Sequence, residues 1–472
     1  MKKILIFALT VILLFSICNT VFAVQVDLPF EVLKVGNNKE EKLEFSENYS
    51  EYIQGRCQFT GVEYLKVLSS EETGPDVRFL YRSQDGVNWE FVREFNWKDK
   101  PKPMAETMLT SILSDYYASG VKKKIINIGN GYIASSEITY RGVNYSISGG
   151  WLGVYDEQFN PVHYITFDQP VMQLSYIDGV CYVVLFGDAG SPYTLMKSSD
   201  FVNWEEVGKD LGVPIRNGDK TIMGTYLREG AGLSNYDYHT VQNPILFADG
   251  SAAQPVALEG MDLTTLQVVG DFFMATNNTI GTDVTDKNLY LYYSKDGVYW
   301  AKQAIPATEE SNGAPSAIES MKIDNGLLYL AIDGWENRLF YIFNVADLEA
   351  TVPQSDTYVE VNGEILGFET PPIMENDRTL VPMRFLLEKL GADIGWYGES
   401  QMVVAQQNNM TVEMTIDNPV ATVNGASVPM DIAPRLVNDK TMIPLRFLSE
   451  NLGYNVEWND ETNTAVITTT KK

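Results

Sequence analysis

The chain has 472 residues, 45% of them hydrophobic, and a net charge of −27. That excess of carboxylates repels phosphate backbones and makes nucleic acid a poor partner. Two histidines without ligand-like spacing give no sign of a metal centre, and three cysteines are too few for a disulfide scaffold.

The chain opens MKKILIFALTVILLFSICNTVFA. A basic start at Lys2 and Lys3, an apolar run over 4–17, and small Val21 and Ala23 predict a signal peptide over 1–23. The run is short for a bilayer span, which needs about 20 residues. Ile17 before Cys18 does not fit a lipid anchor. The expectation is a secreted or cell-wall-associated chain from residue 24, with no membrane span after cleavage. Losing Lys2 and Lys3 takes the charge from −27 to −29. Cys57 and Cys181 then remain, as one disulfide or as two buried thiols.

From there a motif recurs: SQDGVNW over 83–89, SSDFVNW over 198–204 and SKDGVYW over 294–300. Each follows an alternating aromatic run and precedes another strand-like run, so each predicts a β-hairpin. Asp85, Asp200 and Asp296 can accept hydrogen bonds from turn N–H groups, and Ser83, Ser198 and Ser294 can fix the same turn. Gly86 and Gly297 permit a positive φ. Phe201 replaces that glycine in the second copy, so a somewhat different turn is expected there. Trp89, Trp204 and Trp300 would fold back over their hairpins.

The tryptophans are 115 and 96 residues apart, about two units of a shorter period. Weaker hairpins around Asp156, Asp249 and Asp347, and short strands after polar turns at 129–134, 177–185, 269–275 and 324–331, keep that rhythm. A period in the high forties predicts four-stranded propeller blades. The motif resembles the Asp-box hairpin of sialidase-like β-propellers, a resemblance that covers 24–351. The length of 24–351 divided by that period gives a six- or seven-bladed ring, and the resemblance implies boxes that lie away from the active centre. The stretch 30–35 is a candidate to complete the last blade. The longer step from Asp85 to Asp156 holds a helical insertion over 102–119, with Met108, Ile112 and Tyr116 on one face.

A linker over 352–358 leads to a change of rhythm. Residues 375–391 fall on 437–453 at an offset of 62, which also carries Trp396 onto Trp458. Repeats are predicted over 359–420 and 421–472 of a domain spanning 359–472, making a small α+β unit behind a mainly β chain. Pro382 and Pro444 suit a first helical turn, and Gly391 and Gly453 suit helix ends. The doubled P-x-R-F-L motif, with Phe385 and Phe447, resembles the copper amine oxidase-like N-terminal domain, also called the stalk domain. That domain is common in exported proteins of Gram-positive bacteria. The resemblance implies an appendage separate from any copper site, and this region has no histidine, so amine oxidase activity is rejected and no cofactor or metal is expected. Arg384 and Arg446 are read as locking helix to sheet through a carboxylate or carbonyl.

No Phe/Tyr-Arg-Ile-Pro run, G-x-S-x-G, H-E-x-x-H or phosphate-cradling loop is present. Three functions stay open. The first, preferred, is a non-catalytic envelope or extracellular binding protein with a glycan- or protein-binding propeller face, the loop at 236–239 being one candidate. A sialidase-like glycoside hydrolase and a purely structural envelope protein are the alternatives. No catalytic residue is assigned, and the oligomeric state is left open.

Overall fold

Short runs of alternating apolar residues separated by Asn, Asp and Gly turns give this chain antiparallel strand pairs. The computed structural model describes residues 24–36, 58–59, 63–68, 76–84, 88–98, 103–113, 121–138, 150–186, 192–224, 245–247, 252–254, 261–277, 288–307, 318, 320–333, 337–368, 370–407 and 409–469.

Among the described residues, six four-stranded antiparallel blades precede the C-terminal repeats. Blade 1 comprises Gln58–Phe59, Tyr64–Leu68, Val77–Ser83 and Glu90–Asn96; blade 2, Val121–Asn127, Tyr132–Ile138, Gly150–Tyr155 and Pro161–Phe167. Blade 3 comprises Val171–Ile177, Val180–Leu185, Thr194–Ser198 and Glu205–Lys209; blade 4, Ile215–Asn217, Lys220–Met223, Ile245–Phe247 and Ala252–Gln254. Blade 5 comprises Met261–Val269, Phe272–Asn277, Leu289–Ser294 and Ala301–Ile305.

Blade 6 takes only three strands from its own stretch, Ser320–Asp324, Leu327–Asp333 and Asn337–Asn344. Its outer strand is Phe30–Gly36, from the other end of the chain, in register with Phe30 opposite Phe343 and Gly36 opposite Asn337. The first strand of blade 6 lies against the first strand of blade 1, so the ring closes. The described strands therefore make six blades. The stretch around Asp347 is not a sixth hairpin: it is helix α2 (Val345–Thr351), capped by the Asn344 side chain accepting from the Ala346 N–H. The N-terminal strand fills the place that hairpin would have taken.

The cores lie between neighbouring blades. Ile133, Leu152, Leu174 and Cys181 fill the junction of blades 2 and 3, and Leu291, Tyr293, Leu330 and Tyr341 that of blades 5 and 6. Helix α1 (Met104–Leu113) is the predicted insertion, wedged between blades 1 and 2. Its buried face runs through Ala105 and Leu109 rather than Met108, which is half-buried. The Ile112 side chain and Tyr116 lie outside the described residues.

The outer edges are managed in two ways. In blades 1, 2 and 3 the outer pairing carries a register shift, at Leu80/Tyr81, Pro161/His163 and Leu195/Met196. Such bulges twist an edge away from further pairing. In blades 4 and 5 the outer strands instead receive a parallel partner: Ala252–Gln254 pairs with Glu364–Leu366, and Ala301–Gln303 with Val24–Val26.

The C-terminal repeats interlock. The hairpin Ile373–Glu375/Arg378–Pro382 meets its twin Arg435–Val437/Lys440–Pro444 with Val381 opposite Ile443, residues 62 apart, so a pseudo-two-fold axis passes there. Both turns use positive φ at two residues, Asn376–Asp377 and Asn438–Asp439. Helices α3 (Met383–Leu390) and α4 (Leu445–Asn451) follow prolines that end a strand and stand just before the helix. Gly391 closes α3 at φ 72° and Gly453 follows α4 at φ 90°. Tyr358–Val361 of the first repeat pairs with Thr464–Thr468 of the second, while Val420–Val423 of the second pairs with Met410–Thr415 of the first. Phe385 and Phe447 pack against the shared core. No helix among the described residues is long and apolar enough to cross a membrane.

Candidate functional site

All the Asp-box hairpins occupy the same place, the turn between the third and outer strands of a blade. The second box is complete and open to water. Asp200 Oδ1 accepts from the N–H groups of Val202 at 2.9 Å and Asn203 at 2.7 Å, and from Ser198 Oγ at 3.0 Å. Its Oδ2 accepts from the Asn203 side-chain amide at 2.7 Å. Phe201 takes φ 60°, close to the 78° of Gly297, so the aspartate binds the same two turn N–H groups in both copies. The turn expected to differ does not: Asp200 holds it strongly enough to keep a non-glycine residue left-handed.

The weaker hairpin at Asp156 is a variant, one residue longer: Oδ1 accepts from the Gln158 and Asn160 N–H groups, the Asn160 amide donates to Oδ2 at 2.8 Å, and the left-handed residue is Phe159 at φ 60°. Of the first box, Ser83 is buried and Trp89 half-buried, while Asp85 and Gly86 lie outside the described residues. Asp249 also lies outside them.

The Asn203 and Val202 N–H groups hold the Asp200 carboxyl well below the usual carboxylate range. A depressed folded pKa adds stability that is present above the unfolded value and lost as pH falls through the folded one. Thermal melts of wild type and Asp200→Asn should therefore differ by a constant gap above about pH 4, and that gap should shrink on further acidification. A gap that widens as pH falls would contradict this.

The third box is built differently. Where the other two have Asn88 and Asn203 before the tryptophan, it has Tyr299. No amide is there to reach Asp296 Oδ2, and the Tyr358 hydroxyl from the C-terminal repeat donates to it instead at 3.0 Å. Tyr299 stacks on Tyr358 with centroids 5.8 Å apart and planes at 13°. Lys220 of blade 4 donates to the same hydroxyl at 3.1 Å. Val298 and Tyr299 belong to the hydrophobic core of the repeat domain itself. Burial and the neighbouring Asp296 carboxylate push the Tyr358 phenol far above its ordinary range, so it stays a donor. Trp300 is buried and bonds the Gly297 carbonyl through Nε1 at 2.9 Å, whereas Trp204 Nε1 is buried without a partner.

Further polar chemistry gathers at blades 1 and 2. Glu106 of α1 pairs with Arg93 at 3.1 Å and accepts from Trp97 Nε1 at 2.9 Å, while Arg93 also donates to the Phe159 carbonyl at 2.9 Å. Glu63, 4% exposed, accepts from the Tyr132 hydroxyl, and Tyr132 stacks on Phe159 at 4.1 Å. These groups tie helix and blades together.

In the described innermost strands the carboxylates are Asp262 and Asp324. Asp262 is the second residue of its strand and Asp324 the last of its own. Most residues of the segments joining second to third strands, 236–239 among them, lie outside the described residues.

Arg384 and Arg446 are exposed on α3 and α4 and do not lock helix to sheet as expected; Arg384 instead acts electrostatically on Glu388 one turn along. Trp458 packs against the core, but Trp396 is 42% exposed. Cys181 is buried and unbridged, its thiol pushed up to about 12 by burial. Cys57 lies outside the described residues.

Comparison with known proteins finds no curated relative by sequence. Among solved structures, Trypanosoma rangeli sialidase in complex with sialic acid is 8% identical, covering 89% of this chain and 93% of that one, with a TM-score of 0.38. The β-propeller domain of the Trilobed protease from Pyrococcus furiosus is 13% identical over 82% of this chain and 97% of that one, at 0.33. Pyrococcus horikoshii acylaminoacyl peptidase is 9% identical over 82% of this chain at 0.37, and the match spans 55% of its length. Likeness this distant leaves the blade count to rest on strand pairing. The C-terminal match is of another kind: residues 360–467 fit the profile of the copper amine oxidase N-terminal domain. That stretch, which holds most of the two interlocked repeats, is similar to the copper amine oxidase N-terminal domain.

Proposed function

We propose that this chain is an exported, non-catalytic binding protein of the cell envelope. The propeller offers a glycan- or protein-binding face, and the repeat domain serves as a spacer or wall-associating module. The observation that carries this reading is the clasp at Asp296. A domain seated on the Asp-box rim by Tyr358, Tyr299 and Lys220, and by strand pairing at Ala252–Gln254, holds the ring in a fixed attitude. The opposite rim, where second strands pass to third strands, is the natural ligand face. In such a fold function sits in the loops rather than in the strands.

A glycan array run beside a hydrolysis screen tests the reading. The expected result is retention of a glycan or surface protein without turnover. Turnover abolished by replacing a single carboxylate would make the chain a glycoside hydrolase instead.

A further inference from the structure

The two repeats share one fold, so positions where they differ mark what that fold does not require. The first repeat contributes three strands of a five-stranded antiparallel sheet, Asp393–Tyr397, Met402–Gln407 and Met410–Thr415; the second adds Val420–Val423 and Ala426–Pro429. Its inner face, through Val403, Ala405, Val412 and Met414, is at most 1% exposed. Its outer face includes Gly395 and Tyr397. Their twins on Asn455–Asn459 are Glu457 and Asn459, ordinary solvated residues.

Tyr397 is 54% exposed. A Cβ at position 395 would stand 3.3 Å from Tyr397 Cε2 and 3.7 Å from its hydroxyl oxygen, so a side chain there would crowd the edge of the ring. The glycine leaves that edge of the ring uncrowded, and the exposed ring is open to a ligand from water. Asp393 and Gln406 are directly opposed, exposed, and on the same face. Asp393 stands two residues from Gly395, about 7 Å along a strand, roughly the length of one sugar ring. Charge narrows the ligand further. From 391 to 434 there is no lysine or arginine, against five carboxylates, in a chain of net charge −27. A phosphate- or sulfate-bearing polymer is repelled here. A hydroxylated, uncharged one is not, and its hydroxyls can donate to carboxylate and amide oxygens.

We propose that this face binds an uncharged polysaccharide, a pyranose ring stacking on Tyr397 while its hydroxyls donate to Asp393 and Gln406. The site rests on the wall-associating part of the reading above and is separate from whatever the propeller face holds.

The test is co-sedimentation of the full chain from residue 24 with insoluble cellulose, chitin and β-1,3-glucan, with polylysine-coated beads as a cationic counter-probe. Retention on at least one of the three glycans is expected. Tyr397→Ala and Gly395→Glu should each weaken it at least tenfold, and Tyr397→Phe should keep it within about twofold, since the ring rather than the hydroxyl makes the stack. Circular dichroism should show all three variants folded, because these side chains lie at the surface. Retention that survives Tyr397→Ala would remove this site and leave the wall-associating reading standing. Failure to sediment with any of the three glycans would overturn the proposal. So would Tyr397-dependent capture by polylysine alone, which would make the face a cationic-peptide surface.

Discussion

Asp296→Ala is expected to destabilise the protein by about 3–5 kcal/mol and to split a single thermal transition into two. The carboxylate serves two structures at once. Within the turn it accepts from the buried N–H groups of Val298 and Tyr299, and across the junction it accepts from Tyr358. A buried donor left without a partner costs about 1–3 kcal/mol, and here several are orphaned together. Differential scanning calorimetry should resolve separate melting of ring and repeat domain. Tyr358→Phe removes only the bridging hydroxyl and should cost about 1–2 kcal/mol, with the stacked ring kept. Asp200→Ala, in a turn open to water, should lower the melting temperature far less than Asp296→Ala. Equal losses at the two aspartates would mean that the clasp contributes nothing.

Removal of residues 24–36 should be more damaging still. It strips the outer strand from blade 6 and uncovers the backbone edge of Asn337–Asn344. It also removes the stacking of Phe30 on Tyr341 at 5.6 Å, and the buried bond from the Leu28 N–H to Gln303 Oε1 at 2.7 Å. An unpaired edge with buried aromatic neighbours is a template for aggregation. The loss should be about 5 kcal/mol or more, comparable with the whole stability of a typical domain. The shortened chain should aggregate or fail to unfold cooperatively in urea. Cooperative unfolding at an unchanged midpoint would show that the ring does not depend on its N-terminal strand.

The parts of this architecture set by local chemistry were readable before any coordinates. The offset of 62 and the paired Pro, Gly and Trp positions announced the tandem repeat, and S-x-D-x-x-x-W announced the hairpins. The stretch 30–35 was a candidate for the closing strand because closing the ring removes exposed sheet edges. The blade count stayed between six and seven because a helical insertion stretched one period. The segment at Asp347 reads as a hairpin in sequence, but Asn344 caps a helix there. The clasp was harder to see, because it joins residues 62 apart across a domain boundary. Its trace was nevertheless present: tyrosine stands at 299 where the other boxes have asparagine, and at 358 where the twin repeat has Val420. Each exchange looks like ordinary drift alone, and only the fold brings them together. On α1 the expected Met108 is only half-buried, because the wedge between blades 1 and 2 takes the neighbouring stripe through Ala105 and Leu109.

The ring closed by its N-terminal strand is best tested by a cross-link at one register position. Glu31 stands directly opposite Ile342. In a chain with Cys57 and Cys181 replaced by serine, cysteines at 31 and 342 should form an intramolecular disulfide under mild oxidation, detectable by peptide mapping. A pairing of cysteine 31 with cysteines placed at 341 or 343 in preference to 342, or no cross-link at all, would contradict the closure.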